Sequence, residues 1–199
     1  MTSNTYFKDG IEFVLPGIYK AYPIDWANDF INKGTIYFTN IKQFIIDKNP
    51  ERGDKSEGVC VSHINGRNYS GDYANPIFIW CCTMETNTDV IFNTWIDRDS
   101  VILITDTLKF LNKVKDAVIN SKHVKSLIGL QVGPVTYNKN EGSERNYHWA
   151  EGIFQKSYNY NYQKEYRLAF TGTNTLKDEN LIFELGPCND IAKIIYKTS

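Results

Sequence analysis

The chain has 199 residues, of which 42% are hydrophobic and 23% charged, and its formal net charge is -1. This is a globular mixture, which excludes a disordered chain, and the near-neutral balance excludes a protein that coats nucleic acid through a global basic field. The length suits one domain over residues 1–199.

Met1 leads into polar Thr2, Ser3 and Asn4, and no later run approaches the ~18 apolar residues of a membrane span. A cytoplasmic protein with no membrane partner is expected. Aromatic residues reach 14%, with 13 Tyr against 11 Phe and 4 Trp. Rings with a polar edge suit pocket walls and base stacking, and they suit strands equally well.

The first clear punctuation predicts a strand over Gly17 to Tyr22, ended by Pro23. A helix follows with Asp25 as N-cap, Trp26, Ala27, Phe30 and Ile31 at helical spacing, and Gly34 as its stop. Thr35 to Thr39 reads as the next strand. Asp47 to Gly58 is polar with Pro50, Gly53 and Gly58, and is read as a loop in which Arg52, Asp54 and Glu57 form a solvated turn. Val59 to Ile64 reads as a strand and Gly66 to Asn75 as another polar loop.

Pro76 to Thr83 is apolar throughout, which predicts a central strand buried on both faces. Trp95 sits in a short segment before a strand at Ser100 to Thr105. The clearest helix comes next, with Leu108, Leu111, Val114, Ala117 and Val118 as its expected buried face. Lys122, His123 and Lys125 form a small basic patch. Strands are expected at Gly129 to Tyr137, Glu165 to Thr171, Leu181 to Leu185 and Ile191 to Tyr196, with a long polar and aromatic stretch between Tyr137 and Lys164.

Cys60, Cys81, Cys82 and Cys188 show no paired spacing and read as free thiols. Cys60 and His63 have the gap of half a zinc site, but no second half follows, so no metal is expected. His63 and His148 lack a paired carboxylate or nucleophile and read as surface or satisfied residues.

The most specific local text is Gln163-Lys164-Glu165-Tyr166-Arg167, which sets Gln163, Glu165 and Arg167 on one face at the opening of a strand. A carboxylate at such a place can stabilise positive charge on a sugar carbon, as glycosidic cleavage requires. It can equally form a cross-strand salt bridge.

The order of a strand carrying Tyr19 and Lys20, a helix closed by Gly34 and the strand TIYFTN resembles the opening of ADP-ribosyltransferase-type folds. IYKAY, GTIYFTN, IWCCT, VILIT and KEYR also resemble a bacterial family of unknown function, DUF2971, although ERGDKSEG stands where that family has an Asn-Asp-Pro loop.

The resemblance implies an α+β fold with a mixed or split β-sheet of ADP-ribosyltransferase type and flanking helices. It also implies NAD as substrate and ADP-ribose transfer to a nucleic-acid or protein acceptor, by a toxin or antiviral defence enzyme with a possible antitoxin. Glu165, Lys20 and Thr39 would be the catalytic residues. Tyr19, Lys20, Tyr22, Tyr37, Phe38 and Thr39 would hold NAD, while Gln163 and Arg167 would position the acceptor. The aromatic and basic stretch from Lys122 to Lys164 points to nucleic acid ahead of protein. The alternative is a non-catalytic module that binds a protein partner through its Tyr-rich surface, with Glu165 purely structural.

Overall fold

The computed structural model describes residues 3–8, 11–49, 51, 53, 57, 59–64, 67–72, 75–138 and 152–198. In chain order the elements begin with β1 (Ser3–Lys8) and β2 (Ile11–Pro16), an antiparallel hairpin that pairs Ser3 with Pro16 through Lys8 with Ile11. β3 (Ile18–Tyr22) and α1 (Ile24–Lys33) follow, as expected. Asp25 is not the N-cap, however. Extended Pro23 holds that position, and Asp25 lies in the first turn, where its carboxylate meets the positive end of the helix dipole. Gly34 ends α1 with φ 71°, and its amide bonds the Phe30 carbonyl at 2.8 Å. A Cβ there would lie 2.3 Å from the Gly186 carbonyl oxygen, so glycine is required by both twist and space.

Next come β4 (Thr35–Asn40) and a short helix, α2 (Lys42–Ile46). β5 (Val59–Ile64) pairs antiparallel with β6 (Arg67–Asp72), which corrects the reading of Gly66 to Asn75 as loop. β7 (Ile77–Thr83) is buried at six of seven positions. α3 (Thr88–Thr94), capped by Asn87, occupies the segment before Trp95, where no helix was expected.

β8 (Ser100–Ile104) leads to α4 (Thr107–Ile119), capped by the Asp106 side chain on the Lys109 amide at 3.0 Å. The buried face of α4 carries Thr107, Phe110, Val114 and Val118, while Leu108 is 38% exposed. The face is thus set by the Phe110 ring, and Leu108 lies roughly 200° away around the helix. The remaining strands are β9 (Leu127–Pro134), β10 (Thr136–Asn138), β11 (Gln155–Ser157), β12 (Glu165–Gly172), β13 (Asn180–Glu184) and β14 (Ala192–Tyr196). A 3-10 turn spans Tyr158–Gln163. The fold is α+β, with mostly antiparallel strands and a few helices.

Two compact units divide the chain: Met1–Tyr37, Cys81–Val124 and Ile182–Ser199 form the first, and Phe38–Trp80 with Lys125–Leu181 form the second. In the first, β3 runs antiparallel to β8, pairing Ile18 with Ile104 and Tyr22 with Ser100, and β14 lies on the other side of β8. Tyr19, Ile91, Phe92, Val101 and Leu103 form an apolar cluster, and Phe30 meets Phe110 at 6.1 Å between centroids.

In the second unit, β12 runs antiparallel to β9, and β4 pairs Thr39 with Ile79 of β7. Phe38 packs on Phe170 at 4.8 Å. β10 and β11 pair in parallel, matching Thr136 with Gln155. No helix among the described residues is long and apolar enough to cross a membrane.

Candidate functional site

Arg167, the third residue of β12, is 0% exposed, and a guanidinium so far from water needs an acceptor for every donor. It has them. Nη1 and Nη2 fork onto the two oxygens of Glu57 at 2.7 and 2.9 Å. Nε donates to Glu165 Oε1 at 2.6 Å and Nη2 to Glu165 Oε2 at 3.3 Å, while Nη1 also donates to the Ile153 carbonyl. All five N–H groups of the guanidinium are therefore engaged.

Lys156 of β11 enters the same cluster, donating to Glu165 Oε2 at 3.3 Å and to Gln163 Oε1 at 3.0 Å. Its ammonium lies 4.5 Å from the centre of the Tyr160 ring, a cation–π contact. Glu57, Glu165, Gln163 and Lys156 are all buried. Two carboxylates face two cations, so the cluster is formally neutral, and each charge left water only because the others repay its desolvation. Burial holds the Glu57 carboxyl above its ordinary range, an upward push that Arg167 opposes but does not cancel.

Local backbone positions these groups. Lys164 sits in the left-handed region at φ 43°, between the end of the 3-10 turn and the start of β12. That twist lets Gln163 and Glu165 both reach Lys156. The Glu165 amide is held by the Tyr137 hydroxyl at 2.8 Å. Gln163 Nε2 donates to the Glu51 carbonyl at 2.8 Å, Tyr162 Oη to Glu51 Oε2 at 2.6 Å, and Tyr160 Oη to the Gly53 carbonyl at 3.0 Å. Tyr160 and Tyr162 of the Tyr-Asn run, with the following Gln163, thus tether the polar segment before β5 at three points.

Sequence reasoning selected Gln163, Glu165 and Arg167, and the structure brings all three together. It missed Glu57 and Lys156. Glu57, expected in a solvated turn, is 2% exposed and is the bidentate partner of Arg167. A lone carboxylate in a polar segment carries no periodic signal, so only the tertiary structure reveals it. Arg52, Asp54 and His148 lie outside the described residues, as do the side chains of Cys60 and His63.

Among the other expected site residues, Thr39 lies half-buried on β4 and Phe38 is fully buried against Phe170. Tyr19, Lys20, Tyr22 and Tyr37 belong to the first unit. There the Lys20 ammonium donates to the Cys81 carbonyl and lies 5.4 Å from the Tyr22 ring. Tyr22 meets Trp26 edge-on at 6.1 Å, and Tyr37 stacks on Trp26 at 5.2 Å. Trp26, one of the residues noted at helical spacing, is 49% exposed and joins these two tyrosines. Tyr19 is buried opposite Leu103.

Cys81, Cys82 and Cys188 are free thiols, as expected. Burial pushes the Cys188 thiol up to about 11, which keeps it neutral and a poor nucleophile. Among the described residues, no three His, Cys, Asp or Glu side chains gather as metal ligands. No known protein family, curated protein or solved structure matches the chain.

Proposed function

We propose that this chain works by binding a protein partner through its Tyr-rich turn rather than by chemistry at Glu165. One observation carries the reading: both Glu165 oxygens already accept hydrogen bonds from Arg167 and Lys156, in a residue only 5% exposed. For a ribose hydroxyl to reach this buried carboxylate the ion pairs around it would have to open, leaving a buried cation without its partner at a cost of several kcal/mol. The rings of Tyr158 and Tyr162 are 40% and 42% exposed. Tyr162 is pinned through its hydroxyl to Glu51, and the neighbouring Tyr160 to Gly53, so the surface reaches a partner already ordered and loses little entropy on contact.

The second reading is a cytoplasmic NAD-dependent ADP-ribosyltransferase with a sheet of that superfamily's type, modifying a nucleic-acid or protein acceptor in bacterial defence, under a possible antitoxin. It is favoured by Gln163 and Glu165 meeting around one buried cation at the start of a strand. Under it the ion pairs must open before NAD enters.

Incubating the purified protein with labelled NAD and lysate, RNA or DNA separates the two. The binding reading expects no transferred label, together with a lysate partner that the Tyr158→Ala/Tyr162→Ala double variant fails to retain. Label transfer lost in a Glu165→Gln variant whose thermal unfolding still reports a folded protein would establish the transferase and refute the binding reading.

A further inference from the structure

β9 has one strand neighbour: among the described residues it pairs with β12 alone. Among the described residues its outer side therefore offers a row of backbone donors and acceptors of the kind that soluble proteins usually blunt with charge or keep short. β14, which borders the first unit's strands beyond β8, follows that rule, being five residues long with Lys193 within it. β9 does not. It runs for eight residues, LIGLQVGP, without a charged side chain.

Ile128 is 63% exposed and Val132 40% exposed, with half-buried Leu130 between them on the same face. A Cβ added at Gly129 would meet open space.

We propose that this edge pairs with the same edge of a second copy of the chain, antiparallel about a two-fold axis, and so extends the sheet across a homodimer. The strand is self-complementary in one register. Centred on Leu130, the pairing sets Ile128 opposite Val132 of the second copy and Leu130 opposite its own equivalent. On the other face Gly129 meets Gln131, so the larger side chain faces an empty position. Pro134, which lacks an N–H, falls opposite Ser126, outside β9, and costs no bond within the strand ladder.

The absence of charge removes the like-charge repulsion that would oppose two identical strands, and it offers nothing to select an acidic or basic peptide instead. Symmetry supplies the apolar row that a foreign strand would have to bring by chance.

Sedimentation velocity on the full chain, from micromolar to hundreds of micromolar, tests the proposal. A dimer that dissociates on dilution is expected, with Val132→Lys and Ile128→Lys each weakening association at least tenfold while circular dichroism is unchanged. Under mild oxidation Leu130→Cys should give a covalent dimer in much higher yield than Gly129→Cys, because only position 130 faces its own copy. A monomer at every concentration, a dimer untouched by both lysine variants, or equal cross-linking at 129 and 130 would overturn it.

Discussion

The two units fill their interiors by different means. In the first, β8 is buried at every position and its Val101 and Leu103 pack with Tyr19, Ile91 and Phe92, so its cohesion grows with the area removed from water. In the second, β12 opens with buried Glu165 and Arg167 and closes a four-charge cluster with Glu57 and Lys156. An apolar interior accepts many packings of similar volume. A saturated guanidinium accepts one set of partners, so it adds little net stability while fixing which segments meet.

Breaking the charge cluster at its centre should give the largest effect. Arg167→Met leaves Glu57 and Glu165 buried without their fork and is expected to cost about 3–5 kcal/mol, read as a lowered urea midpoint. Among the described residues of the first unit no charged side chain is buried, so its sharpest single failure is one of backbone. Gly34→Ala puts a Cβ into the Gly186 carbonyl at a positive φ and should cost about 1–3 kcal/mol by the same measurement, without altering salt dependence.

The smallest effect is expected at the rim of the charged interior. Tyr162→Phe removes one partly exposed hydrogen bond to Glu51 and should cost about 0.5–1.5 kcal/mol, toward the lower end because the ring is half in water.

The same variant sharpens the comparison by pH. Burial, and then the bond to Glu51, push the Tyr162 phenol from 10.0 up to about 12, so the folded protein keeps this proton where the unfolded chain releases it. Its contribution is complete below pH 10 and is lost as pH rises toward 12. Thermal unfolding of Tyr162→Phe should therefore decline less steeply over that range than the parent.

Much of the apolar framework was legible because its signals are periodic. PIFIWCCT gave β7 as a buried strand, Gly34 gave the end of α1, and SVILI gave β8. The face of α4 was read rightly at Val114 and Val118, with Leu111 and Ala117 half-buried, but it began at Leu108 where the buried residue is Phe110; both are apolar, and only the bulk of the ring in place decides between them. Two hairpins escaped the reading although the sequence marks them: Asp9-Gly10 stands between the runs of β1 and β2, and Asn65-Gly66 between those of β5 and β6. Both dipeptides favour two-residue hairpin turns.

In the candidate site, the alternation of Glu165 and Arg167 was visible, as was the prospect of a cross-strand salt bridge from one of them, whereas their pairing with each other along the strand was not foreseen. Their saturation was not, because it depends on Glu57 and Lys156, which lie in segments with no periodicity. The left-handed Lys164 was also invisible, since lysine has no preference for that region.

Glu57 and Arg167 stand 110 residues apart along the chain, and their fork joins the segment before β5 to the opening of β12. A bond of that span forms only after a long loop has closed, so it rewards the folding chain late, when local hairpins and helices already exist. Until then all four charges keep their water. The cluster thus acts as a final checkpoint in assembly: any collapsed form that traps one of these charges before its partners arrive is penalised, and the chain is returned to solvent to try again.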